Sequence, residues 1–138
     1  MNENDVRIFY RLLNHEHETE IRMLDLSGSL PPRSVFVSSE EDFIATCRQY
    51  DGRYSLYAGI NERRTGGTTR QDVISVSTVV LDIDPIRQSG VKDDPSTDEE
   101  LAEAKKVADK IVAWFDQNGW QRPKAAMSGN GIQLYAKI

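Results

Sequence analysis

The chain has 138 residues, the length of one domain and too short for a multidomain machine. Its 17 Lys and Arg against 22 Asp and Glu leave a formal charge of −5, and 38% hydrophobic residues with a mean hydropathy of −0.54 describe a soluble, polar chain without a uniformly basic coat for nucleic acid. The single Cys47 excludes an internal disulfide framework and cannot alone anchor zinc, residues 1–5 are polar and acidic unlike a signal peptide, and no apolar run approaches the roughly 20 residues that span a bilayer, so a cytoplasmic protein without a membrane partner is expected.

Residues 5–14 place Val6, Phe9, Tyr10 and Leu13 at helical spacing and predict a short amphipathic helix at the edge of the fold. From Glu18, Ile21 and Met23 alternate with polar residues until Ser27-Gly28 and Pro31-Pro32 break the pattern, which reads as a strand and a loop. Val35-Phe36-Val37 is a second short strand. In Ser38-Ser39-Glu40-Glu41 a glutamate follows a serine by three residues, predicting a capped helix to about Tyr50 with Phe43, Ile44 and Cys47 on one face and Asp51-Gly52 as its stop. Residues 54–61 alternate Tyr54, Leu56, Ala58 and Ile60 against Ser55, Tyr57, Gly59 and Asn61, the period of a half-buried strand. Residues 62–72 have no apolar side chain, two adjacent glycines and three arginines, and predict an exposed, mobile loop.

Residues 73–84 are the most β-prone run of the chain, closed by Pro85, and are read as the central strand. A polar linker over 87–96 contains Asp93 and Asp94, whose acidic run continues into Asp98, Glu99 and Glu100 at a helix start. Thr97 and Glu100 form a second capping box, and Leu101, Ala104, Ala108, Ile111, Val112 and Phe115 make the apolar stripe of a long helix that Asn118-Gly119 ends. Residues 124–128 and 132–138 are two short strands joined through Gly129-Asn130-Gly131, with Asn-Gly as the tight turn.

The sharpest feature is Asp82-Ile83-Asp84. On a strand, residues i and i+2 share a face, so two carboxylates project together about 7 Å apart at Cα while Leu81 and Ile83 face the other way. Two solvated acids before a turn proline is the plain reading; a divalent metal such as Mg²⁺ or Mn²⁺, bridged to phosphates, is the chemical one, because it relieves their repulsion. The second half of that chemistry lies in Ser128-Gly129-Asn130-Gly131-Ile132-Gln133. If Ile132, Leu134, Ala136 and Ile138 face a helix layer, Gln133, Tyr135 and Lys137 occupy the face of the two acids. A hydroxyl, a glycine turn with exposed N–H groups, an amide and a lysine beside an acidic pair are the parts of a nucleoside triphosphate site; an ordinary hairpin is the alternative.

An apolar strand ending in Asp82-Ile83-Asp84, a long helix and a Ser-Gly-x-Gly hairpin, preceded by Gly59-Ile60-Asn61-Glu62-Arg63, resemble the archaeo-eukaryotic primase superfamily, particularly the primase-polymerases of plasmids, phages and mobile elements. The resemblance covers residues 54–138. It implies an α/β (α+β) fold with a mostly antiparallel sheet and helices on one face: an N-terminal α/β unit over about 1–72 and the first part of an RRM-like catalytic half over 73–138, within one catalytic core. It implies template-directed nucleotidyl transfer with Asp82 and Asp84 as metal ligands for Mg²⁺ or Mn²⁺. Ser128, Gly129, Asn130, Gly131, Gln133 and Lys137 would meet the nucleotide, dNTP or NTP, and a DNA template or primer and a helicase domain or protein would be partners. The family usually has histidine where this chain has Gln133, and its third motif, an apolar residue followed by aspartate, would fall beyond Ile138, so the chain is expected to be a truncated piece or a minimal relative, with the hairpin edge uncovered.

Arg63, Arg64 and Arg70 make the 62–72 loop locally basic, suiting template phosphates, with a solvated loop as the alternative. His15 and His17 read as an incidental surface pair rather than a metal site, Trp114 and Trp120 as packing residues, and Tyr57 and Tyr135 as the better candidates for base stacking on an open face. Two rival functions stand beside primase-polymerase: a noncatalytic nucleic-acid-binding module of a replication-initiation or accessory protein, and an Asp-x-Asp glycosyltransferase, which fits the acids but not the nearby hairpin.

Overall fold

A computed structural model describes residues 1–91 and 94–138; Asp93, part of the predicted acidic run, lies outside the described residues. The fold is α+β, with three α-helices and two three-stranded antiparallel sheets among those residues. The chain divides into two compact units, Met1–Val76 and Ser77–Ile138.

In the first unit, α1 (Glu3–Leu13) starts at Asn2, whose side chain accepts from the Asn4 and Asp5 amides, and stops at Asn14 in the left-handed conformation, φ 52°. Strands β1 (Thr19–Asp25), β2 (Arg33–Val37) and β3 (Tyr54–Ala58) order as β2-β1-β3. The register sets Ile21 opposite Val35 and Ala58, and Met23 opposite Leu56, so one face of the sheet is apolar. That face packs under Val6 and Tyr10 of α1 and under Phe43 and Cys47 of α2 (Glu40–Tyr50). Helix α1 is therefore part of the core and not an edge element: Leu13 is buried, and the Tyr10 ring lies 5.0 Å from that of Phe43. Burying side chains of this size stabilises by about 1.5–3 kcal/mol each. The cap of α2 is Ser39 with Asp42, one residue later than the predicted Ser38–Glu41 pair; Ser39 Oγ accepts from the Asp42 amide at 3.1 Å. Adjacent serines and adjacent acids offer two overlapping capping frames, and the strand running through Val37 selects the later one.

The second unit comprises β4 (Thr78–Ile83), α3 (Asp98–Gln117), β5 (Lys124–Met127) and β6 (Ile132–Lys137). Its order, β4-β6-β5, makes β6 the central strand and β4 an edge, which corrects the sequence reading. Residues 73–76 do not extend β4: Val73 bridges to Arg63, and the Ile74 amide donates to Glu62 O at 3.0 Å. The predicted single sheet is thus two. Both β4 and the hairpin strand β5 are edges, not the hairpin alone.

The capping box at Thr97 and Glu100 is present, and Glu100 Oε1 also accepts from the Gln88 amide at 2.6 Å. Ala104 and Ala108 are buried, and their small side chains let α3 lie close on Leu81, Ile83, Ile132 and Leu134. Past the stop at Gly119, φ 69°, Trp120 meets Trp114 and Phe115 with centroids 6.2 and 6.0 Å away. Both tryptophans stay about half exposed, so they form a surface cluster rather than core. No described helix is long and apolar enough to cross a membrane.

Candidate functional site

The two sequence motifs of the second unit meet at one end of its sheet. Asp82 is directly opposite Gln133 and Ile83 opposite Ile132, so the next step along both strands brings Asp84 to Gly131. Leu81 and Ile83 pack with the α3 residues, which leaves Asp82 on the face away from the helix, in line with the period of the strand. Asp82 and Asp84 are both exposed, and neither joins an ion pair among the described residues. Asp84 follows the last strand residue, where Gly131 of the hairpin lies against it.

The hairpin tip differs from the expected Asn-Gly turn. The Ser128 amide donates to Gly131 O at 3.0 Å, which makes Gly129 and Asn130 the tip, and the positive φ, 95°, falls on Gly129. Gly131 has a different task. A Cβ there would meet Ile83 O at 2.5 Å and Asp84 Oδ1 at 2.6 Å, so only glycine lets the hairpin lie against Asp84. Gly131→Ala should therefore lower stability by about 1–3 kcal/mol and shift Asp84, whereas Gly129→Ala meets nothing within 4 Å and is opposed only by its φ. Thermal melts and Mn²⁺ titrations of both variants check this: metal affinity should fall in the Gly131 variant and persist in the Gly129 variant.

Ser128 Oγ accepts from the Gly131 amide at 3.0 Å, which leaves the hydroxyl proton to donate elsewhere. Asn130 is already engaged, its carbonyl and side chain both accepting from Ser96, so it ties the hairpin to the start of α3. The Tyr135 hydroxyl donates to Gln133 Oε1 at 2.8 Å and leaves the Nε2 donors of Gln133 for other partners. Tyr135 itself is buried, not a stacking platform; burial, and then the charge of Asp82, push its phenol pKa above the usual value. Lys137 is not brought to the acids. It pairs with Thr78, four residues along the ladder from the Asp82–Gln133 pair and so about 13 Å away, where its Nζ donates to Thr78 Oγ1 at 2.8 Å. Burial pushes its pKa down.

The arginine segment belongs to the first unit and is more tied down than its composition suggests. Its glycines allow a tight path: a Cβ at Gly67 would lie 2.4 Å from Asp72 Cβ, and residues 70–72 form a 3-10 turn with Asp72 accepting from the Thr69 amide and hydroxyl. Glu62 is buried and accepts from the Glu16 and His17 amides and from the His17 ring. Burial pushes the Glu62 carboxyl up, but these hydrogen bonds outweigh it and hold it below the ordinary value. His15 bonds Ile60 O and Thr19, so both histidines act as clasps. Of the three arginines, Arg64 and Arg70 are exposed, while Arg63 lies beside the buried carboxylate of Glu20 at 3.3 Å.

Glu20 was not legible as a site residue. It is 4% exposed on the face of the first sheet opposite the helices, where Arg22 Nε donates to it at 3.0 Å and Ser34 Oγ at 2.7 Å. A cleft of about 430 Å³ opens there, lined by Glu20, Arg22, Asn61, Arg63 and the exposed Tyr57. The alternation of Glu20 with Ile21 suggested solvent, and the only sequence hint was the nearby surplus of arginine. No family model, curated protein or solved structure matches the chain.

Proposed function

We propose that the chain is the catalytic core of a primase-polymerase, carrying out template-directed nucleotidyl transfer from dNTP or NTP. The observation that carries this is the convergence of Asp82, Asp84, Ser128, Gly131 and Gln133 at one end of one sheet, set by the Asp82–Gln133 pairing and by the contact of Asp84 with Gly131. The arrangement β4-α3-β5-β6 with strand order β4-β6-β5 supports the RRM-like reading, since the two strands joined through the helix are split by the third.

The donor set suits Mg²⁺ or Mn²⁺. Two unpaired carboxylates offer hard oxygen ligands, and such ions commonly take one or two protein carboxylates with phosphates and water completing the shell. When bound, the ion supplies charge neutralisation at the triphosphate and activation of a 3′-hydroxyl. The protein's own part is positional. Ser128 Oγ–H, the Gln133 amide and the Gly129 N–H are donors for phosphate oxygens, and Gln133 contributes no positive charge. Arg64 and Arg70 are the exposed cations suited to template phosphates in the first unit.

A second reading, a noncatalytic nucleic-acid-binding module, is favoured by one observation: the residue opposite Asp82 is Gln133, whose neutral amide brings no positive charge to a triphosphate. Titrating a deoxynucleoside triphosphate with and without Mn²⁺ separates the two. The enzyme reading expects affinity that rises at least tenfold with Mn²⁺; oligonucleotide binding that ignores the metal, with no triphosphate affinity, would establish the module.

A further inference from the structure

A third surface feature lies on the other side of Asp84, where residues 83–88 pass the first turns of α3. A groove of about 620 Å³ is floored by Ile83, Pro85, Ala104 and Val107 and rimmed by Glu99 and Glu103. Beside it Ile86 is 93% exposed and Val107 46% exposed. Ile86 is not on a loose loop. Arg87 donates to Pro85 O and Asp94 O, both at 2.9 Å, and the Gln88 amide donates to Glu100 Oε1, so the segment is fixed to the start of α3 while Ile83 packs inward and Ile86 points outward. A fixed, nearly bare isoleucine beside an apolar floor is surface prepared for a contact.

The charges select the occupant. Asp84, Glu99 and Glu103 line the groove, and among the described residues that line it none is a lysine or an arginine. Glu103 pairs with Lys106 at 2.5 Å, but both are exposed and three residues apart on one helix, a bond that solvent and partners readily exchange. A phosphodiester backbone would meet the carboxylates of Asp84, Glu99 and Glu103 there, an unfavourable encounter.

We propose that this groove docks a basic, apolar-anchored segment of a partner protein, in which a Leu- or Ile-sized side chain enters between Ile86 and Val107 and flanking lysines or arginines pair with Glu99 and Glu103. Asp84 borders both this groove and the proposed metal site, but the apolar anchors and the two acids that pair with the segment, Glu99 and Glu103 of α3, are not metal ligands, so the docking is tested apart from the metal chemistry.

The test uses the full chain and a panel of twelve-residue peptides alternating Leu with Arg or Lys, with Leu/Glu peptides of matched length, read by amide chemical shifts and by fluorescence anisotropy. Basic peptides should perturb the amides of Ile86, Ala104 and Val107, and affinity should fall at least tenfold in Glu99→Lys/Glu103→Lys and in Val107→Asp. All three positions are solvent-exposed, and circular dichroism should confirm an unchanged fold. Equal binding of the Leu/Glu peptides, shifts confined to other residues, unchanged affinity in both variants, no binding across the panel, or the same shifts with a single-stranded oligonucleotide would each overturn the proposal.

Discussion

Asp82→Ala is expected to abolish Mn²⁺-dependent triphosphate binding, a loss of at least about 100-fold, since even outer partners of a metal ligand cost 10–100-fold when removed. Primer extension by the longest active form of the protein should fall with it. The loss should not come from unfolding. Asp82 is exposed on an edge strand and joins no ion pair among the described residues, and such surface substitutions usually change stability by no more than about 0.5 kcal/mol. A spectroscopic readout that needs no turnover accompanies the prediction. The charge of Asp82 is the second cause, after burial, of the raised Tyr135 phenol, so removing it should bring that phenol part of the way back to its ordinary value, burial still holding it up. A difference absorbance titration of variant against wild type reports this shift. Unchanged metal-dependent binding in the variant would defeat the primase-polymerase reading.

What could be read from the residues alone was what short-range physics controls. The α3 helix was legible because its capping box, its apolar stripe and its glycine stop all lie within the element. Placement of Asp82 and Gln133 on one face was legible because a strand has a period of two. The failures were long-range. Nothing local distinguishes an edge from a central strand, so the strongest β-forming run was given the centre that β6 occupies. The Gly-Asn-Gly tip offers two overlapping turns, and the close approach of Asp84, invisible without the fold, decides between them by requiring glycine at 131 for space. Residues 62–72 are largely exposed, as expected, and looked mobile because exposure was read as mobility. The clasps that hold the segment, from Glu62 to the Glu16 and His17 amides and from Arg22 to Thr68 O, span about 45 residues of sequence. Lys137 shows the opposite error, since face was right but distance along the strand was ignored.

Glu20→Ala should lower the stability of the first unit by about 3 kcal/mol, as much as truncating a large core side chain. The carboxylate is almost fully buried and is the common acceptor for Arg22, Arg63 and Ser34. Removing one partner of a buried ionic cluster costs about 3–5 kcal/mol because the remaining charges lose their compensation. Here the guanidiniums are only partly buried, with side chains 33% and 21% exposed, so water softens the loss to the low end of that range. The Arg63 Nη1 atom is the one most affected, since it is inaccessible to solvent and makes no hydrogen bond of good geometry even with Glu20 in place. The reverse substitution, Arg63→Met, should be milder, about 1–2 kcal/mol, because Glu20 keeps Arg22 and Ser34 and the methionine retains the aliphatic stem. Urea unfolding of the three proteins orders them, wild type above Arg63→Met above Glu20→Ala. The same pair separates the two roles open to the arginines. If Arg63 is chiefly the partner of Glu20, Arg63→Met leaves the salt dependence of oligonucleotide binding unchanged, while Arg64→Met and Arg70→Met, at exposed positions, each flatten it by about one counterion. A flattened slope in the Arg63 variant at unchanged stability would instead assign that guanidinium to phosphate.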